Sequence, residues 1–152
     1  MKKLKQLGLN VKIDTNGSNP EMLQRLLDES NVDYVAMDIK APRQRYKEIT
    51  NCKDENILEK IDKGIGVVKK FPVYEFRTTA IPFFNKKDFE EIGEWISNKG
   101  KEKVRLYTLQ QFVPKKCLDK EFEELKPKSK QETEEIAELM KKYAEEVRVI
   151  GD

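Results

Sequence analysis

Residues 11–40, VKIDTNGSNPEMLQRLLDESNVDYVAMDIK, decide the fold. Val11 to Thr15 is a short β-branched run that breaks into a polar turn, Asn16-Gly17-Ser18. In the segment that follows, Asn19 is placed to cap a helix and Pro20 suits its first position. Met22, Leu23, Leu26 and Leu27 then form one apolar stripe. Tyr34 to Ile39 is a second strand. Strand, helix, strand is a βαβ unit, and its crossover makes the two strands parallel.

The alternation continues outward. Val73 to Ala80 and Val104 to Leu109 read as further strands, each ending in a polar or proline-containing turn. Ile57, Ile61, Ile65 and Val68 mark a helix weakened by Gly64 and Gly66, each by up to about 1 kcal/mol relative to alanine. Phe89, Ile92, Trp95 and Ile96 mark another over 88–98, stopped by Gly100. Upstream, KKLKQLGL reads as the end of a helix. Downstream, 115–130 is a mixed-charge stretch, 131–146 reads as a helix, and Val147 to Ile150 suits an edge strand. The expected architecture is α/β, parallel strands with flanking helices, either an open sheet or part of a barrel, and function then belongs at the carboxyl ends of the strands.

Composition narrows the function classes. The chain has 152 residues, of which 38% are hydrophobic, enough for one domain with a core. Thirty basic and 28 acidic side chains leave a formal charge of +2. That gives no global field to attract nucleic acid or an anionic membrane. No apolar run approaches the roughly 20 residues that cross a bilayer, and the amino end lacks the apolar middle of a signal peptide. The expected location is the cytoplasm. Cys52 and Cys117 are the two cysteines, and histidine is absent. Disulfide scaffolds, zinc sites and histidine-based triads therefore lose their groups, leaving carboxylates, Lys, Arg, backbone and a cofactor to do any chemistry.

In a parallel sheet the ends of the first two strands are neighbours on one rim. Asp14-Thr15-Asn16-Gly17 and Met37-Asp38-Ile39-Lys40 thus bring Asp14, Asp38 and the Thr15 hydroxyl within reach of one another. Two such carboxylates need a counter-charge, supplied by a hard cation or by Lys40. The same residues serve equally as a strand-to-helix turn and a solvated strand end. Arg77, inside a strand suited to burial, requires an anionic or carbonyl partner, either a ligand or a structural ion pair such as Glu75. Gln110 and Gln111 suit a loop-satisfying role. Tyr107, Phe112, Phe83, Phe84 and Trp95 read as packing, since no basic stripe accompanies them.

Four stretches taken in order, GLNVKIDTNGSNPEMLQRLL, VDYVAMDIKAPRQRY, YEFRTTAIP and LYTLQQFVPKKCLD, closely resemble the radical S-adenosylmethionine activating enzymes. The nearest resemblance is to the activating proteins of anaerobic ribonucleoside-triphosphate reductase, kin to the pyruvate formate-lyase activating enzymes. It covers the chain to about Asp119, and DTNG combined with MDIK is far more specific than either alone. The resemblance implies a partial (β/α)6 barrel, here its carboxyl-terminal portion over 1–119, followed by a helical extension over 120–152. It implies S-adenosylmethionine as cofactor, contacted by Asp14, Asn16, Lys40 and Arg77. A monovalent cation would lie beside the cofactor's carboxylate, held by Asp14, Thr15, Asp38 and the backbone of Met37. It further implies a glycyl-radical enzyme as partner and a ferredoxin or flavodoxin as electron donor.

Members of that family hold a [4Fe-4S] cluster on a C-x3-C-x2-C loop. That loop is absent here, as is the glycine-rich strand end that receives the cofactor's amino group, and Cys52 and Cys117 cannot replace the loop. The fold count places the first two βα units before Met1, so the chain is expected to be a carboxyl-terminal part of an activating enzyme, with no catalytic residue or cluster ligand of its own. The alternative, from a different class, is a cluster-less, non-catalytic binding module that docks on a partner polypeptide.

Overall fold

The computed structural model describes residues 1–115, 117 and 119–151. Lys116 and Leu118, both of the LYTLQQFVPKKCLD stretch, lie outside the described residues. Five strands form one sheet in chain order: β1 Lys12–Thr15, β2 Tyr34–Asp38, β3 Tyr74–Ala80, β4 Val104–Gln111 and β5 Ala144–Ile150. Between them stand helices α1 Lys2–Gln6, α2 Pro20–Asp28, α3 Tyr46–Thr50, α4 Ile57–Val68, α5 Lys86–Ile96 and α6 Lys130–Met140, with 3-10 turns at Arg43–Arg45 and Lys120–Glu124. The strands end within a residue or two of where their β-branched runs break. The chain divides into two compact units between Phe76 and Arg77, inside β3.

In the first unit β1 and β2 pair in parallel, with Asp14 opposite Ala36 and Thr15 opposite Met37. The crossover between them is α2. Its first turn closes as the sequence predicts, the Asn19 side chain accepting the Met22 N–H at 3.0 Å with Pro20 at the first position. Leu23 is fully buried. The α4 helix contributes Ile57, Ile61, Ile65 and Val68 to the same core, together with Val35, Ala36 and Met37 of β2. Burying side chains of this size contributes about 1.5–3 kcal/mol each, and this is what holds a short two-strand ladder to its helices.

In the second unit β4 and β5 pair in parallel from Val104 opposite Ala144 to Gln110 opposite Ile150. Two capping boxes start its helices. Asn85 and Asp88 exchange hydrogen bonds at the head of α5, and Ser129 and Glu132 do so at the head of α6. The expected helix over 131–146 ends at Met140 instead. Its last residues turn back and Ala144–Ile150 is strand, because Val104 N–H donates to Tyr143 O at 2.9 Å and β4 captures the segment. The strand ladder overrides the helical propensity of Ala144, Glu145 and Glu146. The last apolar run is an edge strand, as its composition predicts, and the 120–152 stretch carries both α6 and β5.

Candidate functional site

The carboxyl ends of β1 and β2 are brought together by their register. Since Asp14 lies opposite Ala36, alternation puts Lys12, Asp14, Ala36 and Asp38 on one face, while Ile13, Thr15, Val35 and Met37 share the other. Lys40 donates to Asp38 at 2.6 Å, so the Lys40 ammonium provides the counter-charge expected of this rim. Lys12 stands 3.7 Å from Asp14 and 3.5 Å from the buried Glu75, and caps the Tyr34 ring at 4.9 Å. Asp14 is largely exposed, Asp38 mostly covered.

The turn after β1 is built to hold its shape. The Thr15 hydroxyl oxygen accepts the Gly17 N–H at 3.0 Å, and the Asn16 side chain accepts the Ser18 N–H at 3.0 Å and its hydroxyl at 2.7 Å. Gly17 has φ +75°, in the left-handed region, and a Cβ there would stand 2.1 Å from Met37 Cε. Gly64 lies directly beneath, and a Cβ on it would stand 2.7 Å from Gly17 O. Sequence reading takes Gly64 as a weak point of α4. It is the residue that lets the helix approach the turn. Gly66, two positions on, faces open space.

A cleft of about 430 Å3 opens beside this turn, lined by Asn16, Ser18, Lys40, Tyr46, Cys52 and Asp54 among others. The structure therefore places Asn16 and Lys40 on one concave surface. It adds Tyr46, Cys52 and Asp54, which sequence reading missed. Their segment, 43–54, folds as one 3-10 turn and a five-residue helix, too short to show a period. The signal within it is Tyr46, almost wholly buried in an otherwise charged stretch. Burial, with the nearby Cys52 and Asp38, pushes the Tyr46 hydroxyl up to about 12, so it remains a hydrogen-bond donor at any ordinary pH. Lys60 at 2.6 Å and the Asn56 N–H at 2.9 Å hold Asp54 below the usual carboxylate range, hence ionised.

The remaining expected residues fall elsewhere. Arg77 lies half-buried in the middle of β3 and has interaction partners of its own. Gln110 and Gln111 end β4 half-buried, and Gly151 approaches Gln111 so closely that a Cβ on it would stand 2.6 Å from the Gln111 side chain. Phe84 and Tyr107 are fully buried and Phe112 nearly so. Phe83 is 43% exposed and meets Phe84 and Phe122 edge-on. These are packing roles, as their lack of a basic companion stripe predicts.

The donor set bears on two groups. The Asp14 and Asp38 carboxylates, which share one face, are hard oxygen donors of the kind a monovalent cation takes, whereas the Thr15 side chain lies on the opposite face and its hydroxyl is engaged by the Gly17 N–H. An iron-sulfur cluster does not fit. Among the described residues no three His, Cys, Asp or Glu side chains converge as a metal site, and Cys52 and Cys117 are separate free thiols, with the Cys117 N–H donating to Glu123.

No protein-family model matches the chain. A Methanocaldococcus jannaschii protein described as a "putative glycyl-radical enzyme activating enzyme" is 38% identical over 147 residues, covering 94% of this chain and 59% of that protein. The chain thus spans about three-fifths of the relative's length and is homologous to it over that part. The crystal structure of a domain of pyruvate-formate lyase-activating enzyme from Bacteroides vulgatus superposes with a TM-score of 0.71, covering 99% of this chain and 86% of that one at 18% identity. The chain has the α/β fold of that domain. No helix among the described residues is long and apolar enough to cross a membrane.

Proposed function

We propose that this chain is the cofactor-holding part of a glycyl-radical-enzyme activating protein, and that it binds S-adenosylmethionine at the β1–β2 rim. The observation that carries this reading is the register that sets Asp14-Thr15 beside Ala36-Met37, so that Asp14 and Asp38 share one face, with Lys40 already paired to Asp38. Homology to an activating protein over 147 residues supports it.

When bound, the cofactor supplies a reductively cleavable sulfonium bond. What this chain contributes is binding and orientation. Lys40 offers an ammonium to an anionic group, and the Asn16 amide, held by Ser18, offers a fixed hydrogen-bonding edge. Asp14 and Asp38 would hold a monovalent cation, with Thr15 and the Met37 carbonyl as the further donors that the resemblance implies. Arg77, which the resemblance implies as a further cofactor contact, would offer its guanidinium to an anionic or polar group. No step is assigned to an iron-sulfur cluster, because the described residues offer no ligand set for one. The cluster would come from a segment outside these residues, with a ferredoxin or flavodoxin as electron source. The partner would be a glycyl-radical enzyme, with anaerobic ribonucleotide reductase as the specific target. The cytoplasm would be the site of action.

The test is calorimetric titration of S-adenosylmethionine into the chain. One saturable site is expected, weakened at least tenfold, about 1.4 kcal/mol, by Asp38→Ala and by Lys40→Ala with melting temperatures preserved. Absence of binding, or unaltered affinity in both variants, overturns the assignment. The exposed Leu4, Leu7 and Leu9 near the amino end favour a second reading, a non-catalytic module that docks on a partner polypeptide. It takes the lead if no cofactor binds.

A further inference from the structure

β5 is the last strand in the sheet order and pairs on one side with β4. Its sequence is Ala-Glu-Glu-Val-Arg-Val-Ile, and Ala144 alone in it is buried. Val149 is 45% exposed and Ile150 40%. The strand contains no proline, and its charged side chains, Glu145, Glu146 and Arg148, are of both signs, so they oppose further pairing only where like charges meet.

The ladder fixes which backbone groups face outward. Val104 N–H donates to Tyr143 O, and Val104 lies opposite Ala144. Along a parallel strand, the N–H and C=O of one residue point to the same neighbour and those of the next point away. Residues 145, 147 and 149 therefore turn their backbone toward β4. Ala144, Glu146, Arg148 and Ile150 turn theirs outward. An added antiparallel strand must place its own outward-facing residues opposite these.

A second copy of β5 related by a two-fold axis can meet this condition in three central registers. Centred on Glu146, it sets two glutamates opposite each other. Centred on Arg148, it sets two arginines opposite each other, and like charges directly opposed destabilise a strand pair. Centred on Val147, it sets each Glu146 opposite the partner's Arg148. Within one chain Arg148 already reaches Glu146 at 3.1 Å on the same face. The four charges would then alternate around a square, with Ala144 facing the partner's Ile150 and Val147 facing its own copy on the other side of the sheet. Each outward-facing pair exchanges two N–H···O bonds.

We propose that the outer edge of β5 is a self-association edge, on which a second copy of this chain adds antiparallel with the two-fold axis at Val147. The charge pattern favours this occupant because it is self-complementary in one permitted register and repulsive in its neighbours.

The experiment is sedimentation velocity over a concentration range on the order of 1–100 µM. The parent chain dimerises. Glu146→Arg and Arg148→Glu each weaken dimerisation at least tenfold, and the double variant Glu146→Arg/Arg148→Glu recovers it to within about threefold, since each opposed pair regains unlike charges. A parent chain that stays monomeric overturns the proposal, as does a folded double variant without recovery. Hydrogen exchange on the parent chain provides a test that needs no variant. The amides of Glu146 and Arg148 should gain protection with concentration, while those of Glu145, Val147 and Val149 are protected throughout. Equal exchange of Glu146 and Arg148 at high and low concentration contradicts it.

Discussion

The β1–β2 ladder and the β4–β5 ladder are both parallel pairs, yet they use their residues differently. The first is four register pairs long and ends in a turn where a left-handed glycine, a second glycine from α4 and three side-chain hydrogen bonds hold polar groups at a rim. The second is longer and carries its weight inside. Tyr107 and Leu109 are fully buried on β4, and capping boxes start α5 and α6. Its own close glycine contact, Gly93 against the Tyr143 ring, is helix against ring rather than helix against loop. The same device, a glycine permitting close approach, shapes a polar turn at a strand end in one region and packs a helix against a ring in the other. Substitutions in the second region should therefore register as stability, and those at the β1–β2 rim as affinity.

The largest expected effect belongs to the second region. A Cβ at position 93 would stand 2.2 Å from Tyr143 Cδ2 and 2.6 Å from its Cγ, so the whole ring must move. Gly93→Ala should cost about 1–3 kcal/mol, read by denaturant titration, and leave cofactor affinity unchanged. A stability loss under a few tenths of a kcal/mol would mean that the ring swings aside freely.

A smaller effect, of opposite sign, is expected at Gly66. It faces open space on α4, so Gly66→Ala removes a helix penalty without a clash. Stability should rise by about 0.5–1 kcal/mol, a gain of about 1–4 °C in melting temperature for a chain of this size. No gain would show that the position is under a constraint other than helix propensity.

The smallest effect concerns acid. Lys5 at 2.7 Å and the Val11 N–H at 2.7 Å hold Asp33 below the usual carboxylate range. A carboxylate depressed on folding contributes stability that is fully present above its unfolded value, about pH 4, and lost as pH falls through the folded one. Asp33→Asn should flatten the acid limb of a stability curve below about pH 4. An unchanged limb would assign acid sensitivity elsewhere.

Much of this was legible in the sequence, and the failures have causes. The helix 57–68 and the strands ending in DTNG and MDIK follow from period and punctuation, and Asn19-Pro20 announces its helix. The helix expected over 88–98 begins two residues earlier, because Asn85 caps it through Asp88. The tail reads as helix because Ala144, Glu145 and Glu146 are good helix formers, and pairing with Val104 and Leu106 is invisible locally. Tyr46, Cys52 and Asp54 were missed because the segment has no period, although they line the cleft with Asn16 and Lys40. Gly64 reads as a weak point of its helix, because a close approach between helix and loop leaves no mark in one sequence.

The most direct measurement pairs affinity with stability in Gly64→Ala. A Cβ there meets Gly17 O at 2.7 Å, so the turn carrying Thr15 and Asn16 must shift, while the helix gains the alanine's propensity. S-adenosylmethionine binding is expected to weaken at least tenfold, about 1.4 kcal/mol, with a melting temperature within about 4 °C of the parent. Unchanged affinity in that variant would contradict a cofactor site shaped by the Gly17–Gly64 contact.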